Sequence, residues 1–571
     1  MHINELLQQI SKRAERNDPE ILRQSFVAVG AVTAALNGPD HQIIFGRRGT
    51  GKTHALLYKK QTVTDERNIG VFIDLRILGS DGSIYNDANL SISQRATRLL
   101  IDFYQAIHEG LLSEIQSSNH ADNLSSIAPS LNEFLENVYE LEVRGETETE
   151  QEVEAQKGKS SESGLTISQA QLQATAKSGS SSSSASKNRT KKAGKEEYRV
   201  HFATIRNGLQ SISKELGAPI WILVDEWSAI PAELQPYLAD MIRKTIYPLK
   251  NYTVIIAAIQ HRAHFSINLG SDYIGIELGA DASSSINLDE FMVSENDPEK
   301  AKTFFSELLF RHYKSLPQAD EDVEKFTTKK FMRTIFSSTE AQDEFIKAAE
   351  GVPRDAINIL SRCAQKAGLR KMNLSNVRAA ARAWFQQDKS AFLDYNQEAD
   401  YFLRWIIDKV IGERKARAFL VRKDQRSSVI DLLFDNRLLH LLRSSVSAHD
   451  EPGVRYTAYK LDYGCYVELM TTKNKPKGLL PSDAEGENFV EVPADDYRAI
   501  RRAILDIDEF DYDKLKNSLA SSKVKLGAIG DALEFDIRIS EIMNALITRP
   551  KKRNQNIQPS LFSDDDDDLF S

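Results

Sequence analysis

Gly46-Arg47-Arg48-Gly49-Thr50-Gly51-Lys52-Thr53 lies between the run Gln42-Ile43-Ile44-Phe45 and His54-Ala55-Leu56-Leu57. The eight residues read G-x-x-x-x-G-K-T, and their flanks predict a strand before them and a helix after them, the context in which this pattern binds phosphate. Glycines let the backbone curl so that successive N–H groups converge on phosphate oxygens. The N-terminus of the following helix adds its partial positive charge. Residues Gly46, Arg47, Arg48, Gly49, Thr50, Gly51, Lys52, Thr53 and His54 therefore form the expected nucleotide cradle. Lys52 is expected to reach the β- and γ-phosphates, and the Thr53 hydroxyl to ligate Mg²⁺.

Working outward, the run Pro219-Ile220-Trp221-Ile222-Leu223-Val224 ends in Asp225-Glu226. A continuously apolar run reads as a strand buried on both faces, whose C-terminal end delivers side chains to the ligand crevice. Asp225 is expected to hold Mg²⁺, directly or through water, and Glu226 to polarise an attacking water. Two further runs, Gly70–Leu75 and Tyr252–Ile259, read as buried strands, and Ile274–Leu278 as the fifth. Gln260 follows the Tyr252–Ile259 run. It fits a polar group placed near the γ-phosphate, and equally ordinary polarity at a strand end.

Composition bounds the rest. A chain of 571 residues accommodates three or so domains of ~150 residues. No apolar run approaches the ~18 residues a membrane span needs, and the first residues, Met1-His2-Ile3-Asn4-Glu5, show no secretory pattern. Cys363 and Cys465 are the two cysteines, too few for a disulfide framework or a cysteine-rich zinc site. A cytoplasmic protein with no membrane partner is the expectation. Residues 143–198 are rich in Glu, Ser and Lys and predict a disordered insertion within the nucleotide-binding domain. From 296 to 390 the pattern is helical, and Gly351-Val352-Pro353-Arg354 places a proline in the first turn of a helix with Arg354 at its start.

Phosphate loop, Asp-Glu pair, polar strand end and G-x-P-R in a helical lid, in this order, resemble an AAA+ ATPase, and the lid motif resembles the origin-recognition (ORC-type) initiator branch, taken here as bacterial. The resemblance implies an α/β fold with a parallel sheet and a helical lid, ATP and Mg²⁺ as ligands, ATP hydrolysis, and Arg354 contacting the γ-phosphate. With Glu226, Lys52 and Gln260, Arg354 completes the catalytic set that the resemblance implies. It assigns residues 1–295 to the nucleotide-binding domain and 296–390 to the lid, and a homo-oligomer is compatible with it. No arginine finger can be assigned. Signalling ATPases of the STAND type share much of this layout and supply the alternative, a defence scaffold assembling with protein partners.

The same branch commonly appends a winged helix, and residues 391–475 are assigned to one. The expected elements are a helix over Tyr401–Val410, a strand at Arg417–Val421, an apolar helix over Val429–Leu442, and a wing formed by Arg455–Tyr459 with Gly464–Leu469. Residues 401–430 carry eight Lys and Arg (Arg404, Lys409, Arg414, Lys415, Arg417, Arg422, Lys423, Arg426) against three acids. That excess reads as a DNA phosphate footprint, or as a basic face that docks protein. Residues 476–548 read as helical. Residues 549–571 form a tail of disordered composition ending in Asp564–Asp568. Within it Gln558, Leu561 and Phe562 resemble a bacterial sliding-clamp-binding motif, the plainer reading being a generic docking tail.

Overall fold

The computed structural model describes residues 2–144, 195–198, 201–471 and 504–513, apart from 29, 80–83, 88, 118–119, 139–140, 270–271, 292–296, 320–325, 415, 426 and 448–452. The insertion, apart from its two ends, the tail with Gln558, Leu561 and Phe562, and nearly all of 476–548 lie outside the described residues.

Five parallel strands form the central sheet: β1 (Gln42–Phe45), β2 (Ile69–Asp74), β3 (Ile220–Asp225), β4 (Tyr252–Ala258) and β5 (Ser283–Asn287), in the order β2-β3-β4-β1-β5. Alternate residues serve opposite faces. Ile43, Val71, Ile222, Val224, Val254 and Ile256 join one core under the helices Ile92–Ser117, Leu124–Val138, Phe202–Leu216 and Gln235–Thr245. Ile44, Leu223, Ile255 and Ala257 join another, with Ala55, Leu56 and Val63 of α1 (Lys52–Asp65). Because both faces are covered, β3 and β4 are buried along their whole length, which is why they read as unbroken apolar runs.

The fifth strand is not where the sequence placed it. Ile274 and Gly275 belong to an antiparallel hairpin, Ser266–Leu269 with Asp272–Gly275. Gly275 adopts φ +119° and packs directly on the Phe265 carbonyl, a bend that only glycine tolerates and that ends the strand. The true edge strand is Ser283–Asn287, which pairs with β1 alone. Three serines in a row carry no apolar signal.

Helices Pro298–Lys314, Thr328–Ile335, Thr339–Ala349, α2 (Pro353–Ala367) and Leu374–Trp384 occupy the region that the resemblance assigns to a lid, and are called the lid below. Side-chain caps from Asp297, Thr327, Ser338 and Asn373 start four of them. Leu6, Leu7 and Ile10 bury in this cluster, and the Asn4 amide donates to the carbonyls of Gly368 (2.6 Å) and Arg370 (2.9 Å). The first ten residues therefore pack with the lid, although the sequence grouped them with the sheet.

Beyond the lid, helix Gln397–Ile406 leads to an antiparallel sheet of β6 (Ala418–Arg422), β7 (Leu439–Ser447) and β8 (Arg455–Leu461), ordered β6-β8-β7. Two expectations need correction here. The run Val429–Leu442 is not one helix: α3 (Ser428–Asp435) stops at Asn436, Arg437 turns with φ +63°, and Leu439 opens β7. Gly464–Leu469 is not the wing strand but part of the helix Tyr463–Thr471, started by Asp462, whose carboxylate accepts the N–H of Gly464 (2.9 Å) and Cys465 (3.1 Å). The hairpin is β7 with β8. A single helix, α3, separates β6 from β7 among the described residues.

Candidate nucleotide site

Register brings the two sequence motifs to one edge of the sheet. Gly46 N–H donates to the Ala258 carbonyl at 3.2 Å, so the loop leaves β1 beside the end of β4, one strand from Asp225. Thr53 Oγ1 donates to Asp225 Oδ2 at 2.6 Å across 172 residues of sequence. Asp225 is fully buried. Burial pushes its carboxyl above the ordinary value, with Glu226 adding to the shift and the Thr53 hydrogen bond and Lys52 opposing it.

Lys52 is buried and turned into its own loop, donating to the carbonyls of Gly46 (2.6 Å) and Arg47 (3.1 Å). Burial pulls its amine below the ordinary value, and the Asp225, Asp289 and Glu226 charges partly offset this. Glu226 has a left-handed backbone, φ +57° and ψ +40°, at the start of the turn Trp227–Ala229. That is an uncommon conformation for a residue with a side chain. Its carboxylate is within 3.6 Å of Arg76, which in turn is held by Asp74 at 2.6 Å. Arg76 was missed in the sequence; its signal is its position two residues beyond the end of β2.

The lid meets the loop directly. Arg354 N–H donates to the Gly49 carbonyl at 3.1 Å. Gly49 has φ +91°, and a Cβ there would lie 2.8 Å from the Arg354 Cβ, so glycine is required on both counts. Burial, with Arg437 nearby, lowers the Arg354 guanidinium from its ordinary value.

The remaining predicted residues take other positions. Thr50 Oγ1 donates to the Arg47 carbonyl at 2.9 Å. Arg48 is exposed. The His54 ring faces the N-terminal segment, with Nε2 2.9 Å from the Leu22 carbonyl and its edge on Phe26. Gln260 is exposed, and its amide oxygen accepts from Asn287 at 3.2 Å.

Arg47 departs most from expectation. Its N–H donates to Asp289 Oδ2 (2.9 Å) and its Nε to Asp289 Oδ1 (2.7 Å). One terminal nitrogen donates to the Leu439 carbonyl (2.8 Å), and the other bonds His440 Nδ1 (2.9 Å). Its guanidinium lies 4.7 Å from the centre of the Phe434 ring. The side chain is spent on the C-terminal sheet and is not directed at phosphate.

Four of the eight residues of the expected DNA footprint are engaged within the chain. Arg404 pairs with Asp400 (2.8 Å), Lys409 with Glu413 (2.9 Å), Arg422 with Asp424 (2.9 Å), and Arg417 with the buried Glu350. Lys415 and Arg426 lie outside the described residues. Lys423, one of the eight, is exposed beyond β6, and Arg443 on β7 and Arg455 on β8 are exposed on the same sheet, with Lys423 N–H bonded to the Arg455 carbonyl at 2.8 Å.

No family model matches the sequence, and no curated protein matches it. Among solved structures the chain is similar to Cdc6p from Pyrobaculum aerophilum, at 11% identity over 81% of this chain and 94% of that one, with a TM-score of 0.27. It is also similar to the Aeropyrum pernix Orc1 protein in complex with DNA, at 9% identity over 80% and 93%, with a TM-score of 0.29. Similarity this loose assigns no function, which rests on the residues of the site. No described helix is long and apolar enough to cross a membrane.

Proposed function

We propose that the chain binds Mg²⁺-ATP in the loop Gly46–Thr53 and hydrolyses it, acting as a nucleotide-dependent AAA+ switch on DNA. The carrying observation is the Thr53–Asp225 hydrogen bond, which brings two motifs far apart in sequence side by side and supports reading them as one phosphate and metal site. The donor set fits Mg²⁺: one hydroxyl and one carboxylate, the remaining positions being left for water and phosphate oxygens.

In this reading Thr53 and Asp225 hold Mg²⁺, which supplies neutralisation of phosphate charge. Lys52 exchanges its two loop carbonyls for β- and γ-phosphate oxygens. Glu226 orients the attacking water, and Arg354 carries the state of the γ-phosphate into α2. Gln260 is a secondary polar group at the end of β4. We assign DNA contact to the sheet surface bearing Lys423, Arg443 and Arg455, because the exposed cations of this region are there. An oligomer, and clamp binding through Gln558, Leu561 and Phe562, extend the proposal.

One observation favours the alternative, a STAND-type scaffold. Four basic residues of the 401–430 segment are neutralised by acids of the same chain, as in a segment that docks protein. Steady-state ATP hydrolysis, measured without DNA, with single strands and with duplex, separates the readings. The proposal expects stimulation by DNA that disappears in Lys52→Ala and Glu226→Gln. Turnover indifferent to DNA would favour the scaffold.

A further inference from the structure

We propose that Arg47 is a positioning residue through which the docked C-terminal sheet sets the shape, and hence the nucleotide affinity, of the phosphate loop. The inference rests on the reading of that loop as a nucleotide site. Four hydrogen bonds and the Phe434 ring fix Arg47, which is 2% exposed. Of its four partners, Asp289 follows β5, while Leu439, His440 and Phe434 lie some 390 residues downstream, the separation to Leu439 being 392. Only a planar fork with several donors can serve a carboxylate, a carbonyl and an imidazole at once, so lysine is no substitute.

The contact does not end at His440. An arginine can only donate, so Nδ1 is the acceptor and Nε2 carries the proton, which it donates to Asp462 at 3.0 Å. Burial and the Arg47 charge hold this imidazole neutral, well below its ordinary pKa. Asp462 also binds Lys389, and Lys389 binds Asp355 at 2.9 Å. Asp355 follows Arg354, whose N–H bonds Gly49. The path therefore runs from residue 47 of the loop through the C-terminal sheet and the lid, and back to residue 49. The two sides of the loop apex are held by regions that are themselves bonded together.

This closed path gives the coupling a physical route. Lys52 now donates to the Arg47 carbonyl; when it turns to phosphate, that carbonyl loses one of its donors and keeps Thr50 Oγ1, while the Arg47 side chain still answers to the C-terminal sheet. A second anchor holds the same docking: Arg262 Nε to Asp435 Oδ2 at 2.6 Å, with His261 near Asp431 and Asp435. By linkage, whatever loosens the docking weakens the nucleotide, and the nucleotide tightens the docking.

The test is equilibrium binding of a fluorescent ATP analogue to the full chain. His440→Leu removes the acceptor for Arg47, whereas His440→Asn keeps an acceptor at the Nδ1 position. The expected result is binding weakened about tenfold in His440→Leu, within the usual range of coupling between sites, and largely restored in His440→Asn. The pair Arg262→Cys with Asp435→Cys breaks the second anchor without touching the loop. It should weaken binding in the same direction, and bridging the two thiols with a bis-maleimide should restore it. Cys363 and Cys465 are buried and do not compete for the reagent. Affinities within twofold of wild type in His440→Leu and in the unbridged pair would overturn the inference while leaving the nucleotide site intact. A folded wild type that binds no nucleotide would instead sink the site assignment and this inference with it.

Discussion

Two cations of one loop, Lys52 and Arg47, are both buried, at 8% and 2% exposure, yet they belong to different regions of the molecule. Lys52 stands at the start of α1 among Asp225, Glu226 and the loop carbonyls. Arg47 points the other way, into Asp289 and the C-terminal sheet. The nucleotide side is built from local pattern, a glycine loop and a strand end. The docking side is built from charged side chains tens to hundreds of residues apart, paired with one another and for the most part buried. The first region is expected to determine chemistry, the second stability and coupling.

The largest effects should fall on the nucleotide side. Lys52→Ala should abolish ATP binding. Glu226→Gln should retain binding and reduce hydrolysis by about 10²–10⁴, the usual worth of a group that handles the attacking water's proton. Equal loss of binding in both variants would merge the roles assigned to them. On the docking side, Asp355→Ala takes one of two carboxylates from each of Arg437 and Lys389, leaving them Asp388 and Asp462, and should cost about 1–3 kcal/mol. Burial alone would raise this carboxyl, yet Arg437 and Lys389 hold it below its ordinary value. A denaturation midpoint equal to wild type would show that this network does not hold the halves together.

Charge reversal at Lys423, Arg443 and Arg455 should lower duplex affinity by about two orders of magnitude at low salt and flatten the salt dependence by roughly three phosphate contacts. If the same reversal at Arg404 and Lys409 does more, the footprint belongs on the helix Gln397–Ile406 and its continuation. The smallest effect is in acid. His312 packs edge-on to His54 at 6.1 Å and is pushed from 6.5 down to about 4 by burial, with the His54 charge adding to the shift. Its folded pKa lies below the unfolded one, so its contribution is complete above pH 6.5 and is lost as pH falls toward 4. The loss at pH 5.5 is on the order of 1 kcal/mol. His312→Leu should narrow the gap between denaturation midpoints at pH 7 and pH 5.5, and an unchanged gap would move the acid sensitivity elsewhere.

The comparison also explains what the sequence revealed. Loop, Asp225-Glu226 and Pro353-Arg354 were legible because each is a short pattern whose spacing is its chemistry. The central strands were legible because burial on both faces leaves an unbroken apolar run. Ser283–Asn287 was not, being an edge strand of serines that takes its pairing from β1. The break from α3 into β7 was hidden because the four leucines of Leu438–Leu442 bury equally well as helix or strand; the decision falls to Arg437, whose left-handed turn brings it to Asp355 and Asp388. Asp462 ahead of Tyr463 was a usable helix-start signal that went unused. Arg47 could not be read at all. Its neighbours in sequence point to phosphate, and its partners exist only once the C-terminal sheet has docked.

Calorimetric titration of the full chain with Mg²⁺-ATP tests the central claim most directly, run on wild type, Lys52→Ala and Glu226→Gln. The account predicts saturable binding near one nucleotide per chain, kept in Glu226→Gln and lost in Lys52→Ala. Absence of binding by the folded wild type, or binding undiminished in Lys52→Ala, would contradict it.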